Sequence, residues 1–123
     1  LNRVLFFDPA AQAAWEYVYP GTTKLWVHGA TLCYRKSFWK GNPFPKRDVG
    51  EDLRFIWRDP EAKIAALPDN RCIAALVHPH NASVKRTDDN CWFAIPFPEI
   101  RDLLGEDFPF YADMGPDLRP AAS

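Results

Sequence analysis

Twelve prolines among 123 residues, about double the ordinary share of ~5%, set the strongest limit on what this chain can fold into. Each proline fixes φ and removes a backbone donor, so long helices and central strands are interrupted. The longest apolar run, residues 73–77, is far too short to span a membrane. Short elements are therefore expected, with loops holding much of the shape. The length suits one domain with a real core. We read residues 1–115 as a single domain and 116–123 as a flexible tail.

Arg3-Val4-Leu5-Phe6-Phe7 and the run from Ala13 to Tyr19 are both β-prone, and the Asp8-Pro9 turn signal between them predicts a hairpin. Pro20-Gly21 ends it. Residues 24–28 and 31–34 read as two further strands, broken at Gly29. Ser37 is placed to cap a short turn over Phe38, Trp39 and Lys40. The stretch 41–47, with a glycine and two prolines, is an irregular loop. A short helix follows, and then a weak piece over 61–66 and a turn at 68–70. Residues 72–78 carry no polar alternation, which predicts a buried strand. A polar loop over 80–90 leads to a short strand at 91–95. Pro98 suits the start of a helix whose apolar stripe is Ile100, Leu103 and Leu104, with Gly105 as its stop. Beyond Phe108 little periodicity remains. Strands and helices in this order predict a mixed α/β fold, a mixed sheet with short helices.

The net charge of −1 gives no field that would gather nucleic acid or an anionic membrane. Cys33, Cys72 and Cys91 are odd in number and widely spaced, which argues against a disulfide framework or a structural zinc site and points to a reducing, cytoplasmic compartment. No secretory signal pattern opens the chain. Aromatic residues make up 15%. They serve the core first, with sugar or base stacking as the usual functional use.

The segment 48–58 carries the sharpest chemistry. Leu53, Ile56 and Trp57 recur at helical spacing, and Asp59-Pro60 closes the helix. Glu51 and Asp52 fall in its first turn, where the helix dipole favours negative charge. Asp52 lies at the edge of the apolar face, a position from which a carboxylate can take a proton from a bound hydroxyl. The same tripeptide recurs at Gly105-Glu106-Asp107 after a helix, so context and not the tripeptide carries the signal. His78-Pro79-His80-Asn81 is a second candidate: if extended, both imidazoles point to one side and can meet one metal, with Glu51 or Asp52 as a further ligand if the fold allows. Trp26, Trp39 and Trp57 bracket the acidic helix in sequence; such residues serve the core first, and Trp26 and Trp39 are candidate platforms for the C–H face of a sugar.

Taken in order, Ala14-Trp15-Glu16-Tyr17, Trp26-Val27-His28-Gly29-Ala30-Thr31-Leu32-Cys33-Tyr34-Arg35-Lys36-Ser37-Phe38-Trp39, Pro43-Phe44-Pro45, Gly50-Glu51-Asp52 and Leu76-Val77-His78-Pro79-His80-Asn81 resemble the C-terminal, acceptor-side half of bacterial family 2 glycosyltransferases of the GT-A fold. The resemblance covers residues 1–104. It implies an inverting transfer from a nucleotide-sugar donor to a glycan or other hydroxyl acceptor. Asp52 is then the general base and Glu51 its neighbour in the motif. Gly29-Ala30-Thr31 lies near the donor diphosphate. His78 faces the diphosphate or a divalent metal, manganese or magnesium, while His80 stands where a small residue is expected. The 123 residues contain neither the Asp-x-Asp-type motif nor the nucleotide-binding half of such enzymes, so the resemblance implies a donor half outside them and no activity from this part alone. Two other readings compete: a non-catalytic carbohydrate-binding or protein-interaction module, and a small metal-site protein built on His78 and His80.

Overall fold

The hairpin expected at the start of the chain is the centre of a four-stranded sheet. The computed structural model describes residues 1–20, 25–47, 50–58, 64–81 and 83–117. Strand β1 (Arg3–Asp8) pairs antiparallel with β2 (Ala13–Val18), Phe6 opposite Trp15 and Phe7 opposite Ala14. The turn between them is held by Asp8, whose Oδ1 accepts from the N–H groups of Ala10 and Ala11 at 2.9 and 3.0 Å, as Asp does in turns. Strand β3 (Ala74–Leu76) runs parallel to β1, and β4 (Trp92–Ile95) antiparallel to β2, giving the order β3-β1-β2-β4.

Side-chain alternation divides the sheet into two apolar faces. Phe7 and Ala14 join Ile100 of helix α3 (Phe97–Leu104) in one core cluster, with Leu76, Ile95 and Tyr111 around it. The opposite face is aromatic: Trp92 lies 4.8 Å from Phe6 and 5.0 Å from Tyr17 between ring centroids. The fold is a mixed four-stranded sheet with short helices, a small α/β architecture. No described helix is long and apolar enough to cross a membrane.

By its internal contacts the chain forms two compact units: Leu1–Asn2 with Tyr19–Pro68, and Arg3–Val18 with Asp69–Ser123. The second holds the sheet and its helices. The first holds a 3₁₀ turn (Gly29–Thr31), helix α1 (Lys36–Gly41) and helix α2 (Glu51–Trp57) around Val27, Phe55 and Ile56.

Several expectations change. Residues 25–28 and 32–34 are irregular and not strands. Their β-prone side chains are satisfied by packing: Val27 is buried in the first unit, and Leu25 and Leu32 pack against it. Ser37 lies inside α1 and caps nothing, the N-cap being Arg35. The buried strand expected over 72–78 shrinks to β3, a half-buried edge strand, because it has a partner on one side only. Helix α4 (Phe108–Asp117) occupies a region read as aperiodic and includes the start of the expected tail. Gly105 stops α3 as expected, with φ of +54°. The Pro20-Gly21 stop after Pro20, Lys24, Asp48-Val49, the Asp59-Pro60 closure, residues 61–63, Ala82 and the tail from 118 lie outside the described residues.

Candidate functional site

Helix α2 forms where its apolar spacing predicts, and its first-turn carboxylates follow a glycine. Gly50 adopts φ +75° and ψ 18°, a left-handed conformation that glycine takes without penalty. The helix is seated by Phe55, which is stacked on Phe44 at 4.0 Å and meets Phe38 and Tyr34 edge-on at 5.1 and 4.7 Å. Each such ring pair contributes about 0.5–1.5 kcal/mol beyond buried area. Asn42, only 6% exposed, donates from Nδ2 to the Phe55 carbonyl at 2.7 Å. It ties the end of α1 to α2.

Asp52 is half-buried on this seated helix. Its Oδ1 accepts from the Leu53 N–H at 2.7 Å. The rest of the carboxylate lies over Gly29: a Cβ built on Gly29 would stand 2.9 Å from Asp52 Cβ and Cγ, with Oδ2 closer still. Asp52 thus occupies the space that any side chain at position 29 would need. Two segments singled out separately in the sequence, Gly29-Ala30-Thr31 and Glu51-Asp52, meet in the first unit. Thr31 has its hydroxyl committed to the turn, donating to the His28 carbonyl at 2.9 Å and accepting from the Leu1 nitrogen at 2.8 Å. What the turn offers a ligand is therefore backbone and the Ala30 surface, which is exposed. The Glu51 side chain, half-buried beside Asp52, makes no hydrogen bond among the described residues.

The two tryptophan candidates differ. Trp39 on α1 is 41% exposed, and Tyr34 is 43% exposed. Both rings belong to the first unit and leave surface open for stacking. Trp26 is half-buried and sits between Trp57, at 5.3 Å, and Tyr19, at 6.2 Å between centroids, in a packed aromatic row.

His78 and His80 belong to the second unit and are not extended. The Asn81 N–H donates to the His78 carbonyl at 3.1 Å, closing a turn over Pro79 and His80. Asn81 Oδ1 accepts from the His78 N–H at 2.9 Å and its Nδ2 donates to the Leu76 carbonyl at 3.3 Å. The His80 N–H donates to His78 Nδ1 at 3.2 Å, which makes that nitrogen an acceptor and leaves the proton on Nε2. The condition for a shared metal, an extended segment, is not met, because the chain turns at the proline. As an isolated pair the two imidazoles do not form a metal cage, and among the described residues no group of three or more His, Cys, Asp or Glu side chains is placed to hold one.

A cleft of about 630 Å³ in the first unit, lined by Pro45, Arg47, Leu53, Arg54, Trp57 and Arg58, was not among the sites expected from the sequence. Its signal was present: Arg54 and Arg58 stand four apart on α2, hence on one face, beside the row made by Leu53 and Trp57. No family model, curated protein or solved structure matches the chain.

Proposed function

We propose that this chain is the acceptor-side part of a nucleotide-sugar-dependent glycosyltransferase acting in a cytoplasmic setting, with Asp52 as general base. The observation that carries the reading is the seat of Asp52 against the bare Cα of Gly29. It joins the segment expected near the donor diphosphate to the segment expected to activate the acceptor. In the reaction, Asp52 takes the proton of an acceptor hydroxyl as its oxygen bonds to the anomeric carbon of the donor. The bond from that carbon to the diphosphate oxygen breaks on the opposite side, so the configuration inverts and the nucleoside diphosphate leaves. Trp39 and Tyr34 give the acceptor sugar an aromatic surface. A divalent cation bound with the donor would offset charge on the leaving diphosphate.

The test is Asp52→Asn, assayed with the donor-binding half that the reading requires. Transfer is expected to fall about 10²–10⁴-fold, with nucleoside diphosphate binding unchanged. Undiminished turnover would remove Asp52 from the mechanism.

The half-open rings of Trp39 and Tyr34 also favour a second reading, a carbohydrate-binding module without transfer. Titration with neutral glycans and with a nucleoside diphosphate plus manganese separates the two. Binding of glycan alone supports the module.

A further inference from the structure

We propose that the cleft along α2 is a binding site for an acidic saccharide, in which Arg47, Arg54 and Arg58 hold a carboxylate or phosphate group and Trp57 supports the sugar ring. The three arginines approach from two elements: Arg54 and Arg58 from α2 and the residue just beyond its last turn, and Arg47 from the proline-containing loop. All three are exposed, and among the described residues none of them is in an ion pair. The dipole of α2 favours cations at its C-terminal end, which accounts for Arg58 and partly for Arg54. It does not account for Arg47, which lies outside the helix. Arg54 and Arg58 are like charges at i, i+4, an arrangement that by itself destabilises a helix.

Arginine forks match the two oxygens of a carboxylate or phosphate, which is the geometry such a cluster is suited to. The cleft also has apolar walls: Leu53, Pro45 and Trp57 line it with the arginines. A bare inorganic ion has no use for those walls, whereas a sugar ring carries C–H groups that pack on indole. About 630 Å³ lies within the ordinary range for small-molecule sites, roughly 300–1,000 Å³. A polynucleotide is disfavoured by the chain's net charge of −1, since nucleic-acid sites draw on a broad positive field.

The inference goes beyond sugar transfer and does not use Asp52: its test is binding alone, without donor or turnover. The intact chain is titrated calorimetrically with a uronic-acid trisaccharide, a monophosphorylated trisaccharide, a neutral trisaccharide and inorganic phosphate. One or both acidic sugars are expected to bind, at least about tenfold more tightly than the neutral one, as a desolvated charge pair implies, and more weakly as salt rises. The tighter of the two identifies the acidic group. Arg54→Gln and Arg58→Gln are each expected to weaken binding about tenfold, and Arg54→Lys by less, because it keeps the charge and loses the fork. These side chains are exposed, so far-UV circular dichroism should be unchanged in every variant. Equal binding of neutral and acidic trisaccharides overturns the proposal. So does full affinity in the glutamine variants, or inorganic phosphate binding as tightly as the sugars.

Discussion

Replacing Gly29 by alanine adds one methyl group at the point where the 3₁₀ turn meets α2. Gly29 has no positive φ, so alanine can adopt its backbone conformation and the cost is steric alone. The new carbon would stand 2.9 Å from both Cβ and Cγ of Asp52. Carbon atoms pack at about 3.5–4.0 Å, so the two segments must separate by roughly 0.6–1.1 Å. Rotating the Asp52 side chain moves Cγ and Oδ2 but leaves Cβ in place, because Cβ is fixed to the helix. Helix α2 cannot slide freely either, since Phe55 and Ile56 are buried in the core of the first unit at 2% and 5% exposure. Overpacking of this kind costs about 1–3 kcal/mol.

The opposing effect is the lower entropy of the unfolded chain when glycine becomes alanine, worth about 0.4–1 kcal/mol. The net expectation is a loss of about 1–2 kcal/mol, or roughly 4–8 °C in Tm for a domain of this size class. Thermal unfolding followed by circular dichroism measures it, and a double-mutant cycle with Asp52→Gly assigns it. In the Asp52→Gly background the obstructing atoms are gone, so Gly29→Ala should become neutral or stabilising. An equal cost in both backgrounds, or a higher Tm for the single Gly29→Ala variant, would refute the contact and weaken the proposed site.

Two further outcomes follow from the same structure. Asn42→Ala removes a buried hydrogen bond to the Phe55 carbonyl and should cost about 1–3 kcal/mol in urea unfolding; a variant as stable as the parent would show that the bond does not hold α2. The Tyr17 hydroxyl is held above its ordinary value of 10.0, first by burial, then by the charges of Cys91 and Asp89 and a hydrogen bond with Cys91. In alkaline solution the unfolded chain therefore loses this proton before the folded one, and stability falls as pH rises through and above 10. Tyr17→Phe should flatten that decline, and spectrophotometric titration should find one of the four tyrosines ionising late.

The parts of this fold that could be read from sequence are those held by local signals. The hairpin follows from two β-prone runs around Asp8-Pro9, and α2 and α3 follow from apolar spacing, α3 with Gly105 as its stop. The parts that could not be read depend on what the chain packs against. Trp26, Val27 and Leu32 have the composition of strands, but their partners are Trp57, Phe55 and Ile56 on a helix, so no ladder forms. Residues 72–78 look like a buried strand until the sheet order puts β3 at an edge. Helix α4 was hidden by Pro109, Gly115 and Pro116, although a proline is tolerated in the first turn of a helix. At the candidate site, Asp52 announced itself as a carboxylate on the edge of an apolar face. Gly29 stood out only through the resemblance, and its physical role, leaving room for that carboxylate, required the fold. The arginine cleft was legible as a spacing but draws its third member from a loop.

The sheet is left at the end of β2 and re-entered at the start of β3, and the 55 residues of this excursion, 19–73, hold most of the first unit. Closing a connection of that length costs little more than closing a short one: even a fivefold longer loop adds only about 1.4 kcal/mol of chain entropy. The ladder hydrogen bonds of β1 with β2, β3 and β4 with its neighbour are specified by residues outside the excursion. Inheritance can therefore act on the two parts at different rates. Lineages can lengthen, shorten or rewrite the segment bearing Asp52 and the arginines while the sheet that anchors both of its ends keeps its own pairing.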